Sequence, residues 1–160
     1  MDMAEKLMFI DEHYLSAFDA LDIDSQVAEQ PAFEETVRIE KEFPINEDED
    51  EEENTYLSLN MTAGDSLDPE LYVAFQIIDY ALCSAPGAPL KQTLVDKGLG
   101  KDVYSIYDSG IKQPYFSVIA KDISPDKEEE FLKTIREVLC DVVEKGFEEK
   151  ALLAGINYFE

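Results

Sequence analysis

One histidine, two cysteines and no tryptophan in 160 residues leave little to build a reactive centre from. His13 is the lone imidazole, which excludes any site needing two, including the paired-histidine zinc helix. It also leaves serine or cysteine nucleophiles without their usual neighbouring base. His13 stands beside Tyr14 toward the exposed side of a helical segment and reads as a surface residue. Cys83 and Cys140 fall on apolar stripes of helical segments and are expected to be reduced, buried, small hydrophobes. No Cys-x-x-Cys spacing preorganises them with His13 as metal ligands.

Cations are scarce as well, with 13 Lys and Arg against 37 Asp and Glu, a formal net charge of −24 and a pI near 4.1. Nucleic acid is excluded as a partner, because affinity for a polyphosphate comes from cations that release its counterions. Anionic membranes are disfavoured for the same reason. No apolar run approaches the ~20 residues that cross a bilayer, and Met1-Asp-Met-Ala-Glu-Lys lacks the basic-then-apolar order of a signal peptide. A soluble, cytoplasmic location is the expectation.

What the chain does have is apolar content, 45%, enough for one compact domain that buries roughly two-thirds of its unfolded surface. Leu7, Ile10, Tyr14, Phe18 and Leu21 recur at helical steps and predict a helix over about 5–21 that needs a partner surface. An irregular connector follows, interrupted by Pro31, so residues 1–34 read as an N-terminal helix and connector and 35–160 as an α+β domain. Alternation in Val37, Ile39 and Phe43 predicts a strand over about 35–43. Its antiparallel partner is the run carrying Leu57, Leu59 and Met61 on one side and Tyr56, Ser58 and Asn60 on the other. Between them Glu47 to Glu53, seven like charges in a row, are expected to form a mobile hairpin tip.

Gly64 breaks the second strand, and Asp68-Pro69-Glu70 then opens a helix with a side-chain acceptor, a proline at the first position and an acid at the positive end of the dipole. Pro86 and Pro89 separate this helix from a short one over about 90–97, which Gly98 closes. A second hairpin, about 103–107 with 114–121, turns at Asp108-Ser-Gly110. Ser124-Pro125-Asp126 starts a long helix striped by Phe131, Ile135, Val138 and Val142 and ended by Gly146. A last helical segment from about Glu148 runs into Glu160 with no stop signal, as if the chain were cut inside a helix. The order predicts an α+β fold: an antiparallel sheet with helices packed mainly on one face.

Other motifs carry no chemistry. The acidic block lacks the alternating ligands, central glycine and final glutamate of a calcium loop. Gly98-Leu-Gly100 closes a helix where a phosphate loop would open one, and no Lys-Ser/Thr follows. Tyr56, Tyr104, Tyr107 and Tyr115 lie on strands, where core packing is the expected role and an extended peptide at the sheet edge the alternative.

Taken in order, Ala85-Pro-Gly-Ala-Pro-Leu90, Leu94, Gly98-Leu-Gly100-Lys-Asp-Val103, Phe116-Ser-Val-Ile-Ala-Lys121, Glu144-Lys-Gly-Phe147 and Asn157-Tyr-Phe-Glu160 resemble the pitrilysin or insulinase superfamily of zinc metallopeptidases, in its presequence-peptidase branch. The resemblance implies the fold shared by LuxS and the processing peptidases, within a polypeptide of four homologous domains that enclose a chamber. This chain is similar to the second, non-catalytic domain. Pro86, Pro89, Leu90, Gly98, Gly100 and Gly146 are the positions that carry its structural motif. No His-x-x-Glu-His is present, so no catalytic residue, metal ligand or cofactor transfers; zinc is implied only for the parent protein. The implied partners are the parent's other domains and the peptides in its chamber, and the chain alone is expected to be inactive. The acid excess further implies a negative chamber that concentrates basic peptides. Two alternatives are an independent acidic module that binds a basic protein, and a domain of a non-peptidase relative.

Overall fold

Helices cover one face of a three-stranded antiparallel sheet, the α+β layering read from the sequence. The computed structural model describes residues 2–50 and 54–159. In chain order the elements are α1 (Met3–Ile10), β1 (Thr55–Thr62), α2 (Pro69–Asp79), α3 (Pro89–Asp96), β2 (Asp102–Asp108), β3 (Tyr115–Ile123), α4 (Glu128–Lys145) and α5 (Glu149–Phe159). The sheet order β1-β3-β2 puts β3 in the middle.

Strand alternation decides which face is buried. Register pairs Leu57 with Ala120, Leu59 with Val118 and Met61 with Phe116, and on the other side Val103 with Ala120 and Tyr107 with Phe116. These side chains meet Leu82 and Cys83 after α2, Leu90 and Leu94 of α3, and Phe131, Ile135 and Val138 of α4 in one core. Phe131, Leu90, Leu94, Leu99 and Ile135 are essentially sealed from solvent. Each such large side chain contributes about 1.5–3 kcal/mol of transfer free energy, the main force holding the helices to the sheet.

The helix starts follow their local chemistry. Asp68 accepts from the amides of Glu70 and Leu71, both at 3.0 Å, with Pro69 in the first turn of α2. The α2 rod continues as a π-helical turn over Tyr80–Ser84, so its contact with the core reaches Cys83 as expected. Before α4 the Ser124-Pro125 signal makes a 3-10 turn, Pro125–Lys127, without a side-chain cap from Ser124.

Two expectations fail in the N-terminal third. Residues 35–43 are extended but belong to no strand, and β1 pairs with β3 instead of with them. Alternation requires a face to be buried without naming the partner, and β3 offers β1 a row of buried apolar side chains. The acidic block opposes closing the expected hairpin by like-charge repulsion. Its Glu47–Asp50 part forms a turn in which the Asn46 amide donates to Glu49 at 2.8 Å, while Glu51–Glu53 lie outside the described residues. The first helix is also shorter than its stripe: α1 passes into a π-helical turn at Asp11–Leu15 and stops. There the Ser16 hydroxyl donates back to the Glu12 carbonyl at 2.9 Å, and with Tyr14, Leu15 and Phe18 exposed little packing rewards further helix and the chain unwinds.

Candidate functional site

The proline corner is built from turn chemistry. Ala88 donates its amide to the Ala85 carbonyl at 3.0 Å across Pro86-Gly87, and Gly87 has φ +73, the left-handed value that the third position of this turn type demands. Pro89 then occupies the first turn of α3 and Leu90 drops, fully buried, into the core. Facing this corner is the α4–α5 turn, where Gly146 ends α4 and donates to the Val142 carbonyl at 2.8 Å.

Corner and turn together enclose a groove of about 300 Å³ lined by Ala81, Pro86, Pro89, Val142, Gly146 and Phe147. Asp141 and Lys145, paired at 2.7 Å, stand at its edge, and the Asp141 carboxylate raises the Lys145 pKa by accepting that hydrogen bond. The groove therefore brings Pro86, Pro89 and Gly146 together. Gly98 and Gly100 lie beyond the other end of α3, where Gly100 abuts the sheet: a Cβ there would come within 3.1 Å of the Ala120 Cβ.

A second polar spot lies under the sheet, between α2 and β2. The Ser105 hydroxyl donates to the Asp79 carboxylate, and Cys83 lies beside both. Burial raises the Asp79 pKa despite that hydrogen bond, and burial pushes the Cys83 thiol up to about 11. A thiol held that high is a weak nucleophile at neutral pH. Cys140 departs from its expected burial and is exposed. It follows Val138 by two positions, which on a helix points away from the stripe that faces the core.

The other sheet face carries no helix. Tyr56, Tyr104 and Tyr115 lie on it, with Ser58, Asn60, Ile106 and Lys121, so only Tyr107 joins the helix-side core, stacked on Phe75 at 5.2 Å. Lys121 holds its ammonium 5.8 Å from the Tyr56 ring centre, and Phe43 meets the same ring edge-on. Core packing is thus the role of one of the four tyrosines; the remaining three decorate an accessible surface.

Residues 2–50 make a third surface. None of them is buried, and Phe18 is 78% and Ile39 73% exposed. A few polar ties anchor this length: Arg38 grips Glu128 through paired hydrogen bonds of 2.9–3.1 Å, lowering the Glu128 pKa, and Gln30 exchanges hydrogen bonds with Gln113. Partners 90 and 83 residues apart leave no local trace in a sequence, and neither these ties nor the Asp79–Ser105 bond were legible there. His13 sits on this exposed length, stacked on Phe9, its Nδ1 3.0 Å from the Phe9 carbonyl.

The resemblance implies zinc for the parent, and the donors here do not fit it. Among the described residues no group of three or more His, Cys, Asp or Glu is arranged to hold a metal ion. His13 and Cys140 are exposed on separate helices and Cys83 is under the sheet. No helix of the described residues is long and apolar enough to cross a membrane.

Comparison with known proteins places these features in a family. Residues 5–158 match the family described as the peptidase M16 inactive domain. Protein HypA of Clostridium perfringens is 39% identical over 159 residues, which is 99% of this chain and 16% of that protein. Presequence protease 1, chloroplastic/mitochondrial, of Arabidopsis thaliana is 28% identical over 99% of this chain and 15% of its own length. The mitochondrial presequence protease of Mus musculus is 27% identical over 94% of this chain and 15% of its own. The chain thus spans about one-sixth of the length of these relatives.

Proposed function

The chain belongs to the peptidase M16 family, as its non-catalytic domain, and from that premise we propose that it helps to form the chamber of a larger zinc metallopeptidase that degrades peptides. The observation that carries the reading is the match to the inactive domain along nearly the whole chain, 5–158, in a sequence with one histidine and no His-x-x-Glu-His. The geometry supports it. A sheet covered by helices on one side only leaves a broad second face to enclose or contact other parts of the parent. In this role the domain contributes wall: it limits substrates to peptides that fit the closed cavity, and its acidity raises the local concentration of basic ones.

The test is a parent polypeptide lacking these residues, assayed on short and long basic peptides with and without the chain added back. Loss of hydrolysis, restored in part by the added chain and weakened by salt, is the expected result. Undiminished hydrolysis with an unchanged length limit in the shortened parent would refute the chamber role, and salt-independent hydrolysis by the intact parent would refute the steering.

A further inference from the structure

We infer that the apolar strip along α1 and the turn after it is a docking face for another domain of the same full-length polypeptide, one that presents an apolar hollow rimmed by lysine or arginine. The inference rests on the M16 reading and adds to it a surface and a partner chemistry. Met3, Leu7, Ile10 and Tyr14 follow one another at steps of four, three and four, the spacing of a single helical stripe, and all are exposed. Leu21, Val27 and Phe33, downstream in the chain, are exposed as well. Soluble proteins rarely leave contiguous apolar surface beyond a few hundred Å² unless something covers it.

What covers it follows from two further observations. The family match begins at residue 5, so most of α1 is part of the domain although none of its residues is buried. The relatives continue for about five-sixths of their length beyond the region matched, so a surface on the same polypeptide is available at high effective concentration. Charge sets the kind of surface. The helix and its turn carry Asp2, Glu5, Asp11 and Glu12 against Lys6 alone, and Asp19, Asp22 and Asp24 follow. A rim of cations complements that pattern, whereas a second copy would bring like charges together around the same strip.

Amide hydrogen exchange of α1 in the 160-residue chain and in the full-length parent tests this, with sedimentation of the chain alone alongside. The expected result is exchange at least about tenfold slower in the parent. That protection should fall in about 1 M salt, where charges are screened beyond ~3 Å. It should be lost in a parent carrying Leu7→Glu and Ile10→Glu, with β3 exchange unchanged as the control for folding. Equal exchange in both proteins would overturn the inference, as would a dimer of the isolated chain that protects α1 equally well. Protection indifferent to salt would overturn the basic rim. Peptide hydrolysis by the parent separates the two readings: activity with α1 exposed defeats the docking face alone, and protection in a parent that cleaves no peptide defeats the peptidase reading alone.

Discussion

Residues 55–159 and residues 2–50 both carry apolar stripes, and only the first set buries them. In the larger region the main stripes meet one another: the β1 and β3 faces meet α3 and α4, and Gly155 of α5 comes close enough to α2 and the turn after it that a Cβ would lie 3.3 Å from Ile77 and Tyr80 side-chain atoms. In the smaller region the stripe of α1 meets solvent. The contrast teaches that periodicity states a need for cover, and that where the chain does not supply the cover the need becomes a contact surface.

Two phenylalanines, one from each region, should respond to truncation most differently. Phe131→Ala should cost about 3–5 kcal/mol in urea unfolding, because it empties a sealed site at the centre of the core. Phe18→Ala, at an exposed position, should change the same measurement by less than about 0.5 kcal/mol. Similar losses at both would show that the N-terminal length is packed in solution and erase the distinction.

Next in size, Ser105→Ala should cost about 1.5–3 kcal/mol by leaving the half-buried Asp79 carboxylate without its donor. Adding Asp79→Asn should recover most of that loss; a double variant no better than the single one would show that the bond contributes little. Because burial raises the Asp79 pKa, its share of stability is full below the ordinary carboxylate range and is lost as pH rises through the raised value.

Within the packed region, the two glycines after α3 differ in what surrounds them. Gly98→Ala, at φ +68 with open space around it, should cost about 1–2 kcal/mol from backbone strain alone. Gly100→Ala should cost more, since its new Cβ also presses on Ala120 and on the carbonyls of Asp102 and Lys121. Equal costs, compared by thermal unfolding, would mean the sheet yields at that point.

The smallest effect belongs to the Arg38–Glu128 tie that anchors the N-terminal length. Glu128 has a lowered pKa, so its contribution is present above the ordinary glutamate range and is lost as pH falls through the depressed value. The chain should therefore lose slightly more stability on acidification from about pH 6 to about pH 3 than Arg38→Gln does, and parallel pH profiles would show the tie to be energetically silent.

Much of the packed region was legible because its signals are local. The Asp68 cap, the Pro86 and Pro89 corner, the Asp108-Ser-Gly110 turn and the α4 stripe each fix structure within a few residues, and each stands where expected. What was not legible depends on distant partners. Val37 and Ile39 alternate as a strand does, yet the competition for the β1 edge is decided by β3, some eighty residues later. Cys140 looked buried because it neighbours the stripe, and two positions of helical rotation carry it to the surface. Of the motif positions, the sequence identified Pro86, Pro89 and Gly146 separately, while the groove that joins them arises only when α4 and α5 fold back on the corner.

One assay bears most directly on whether this domain supplies surfaces and no chemistry: hydrolysis of a basic peptide by the purified 160-residue chain, with and without an equivalent of zinc. A rate indistinguishable from the buffer blank in both conditions is the expected result. Turnover that tracks the chain's concentration and is abolished by a chelator would contradict it.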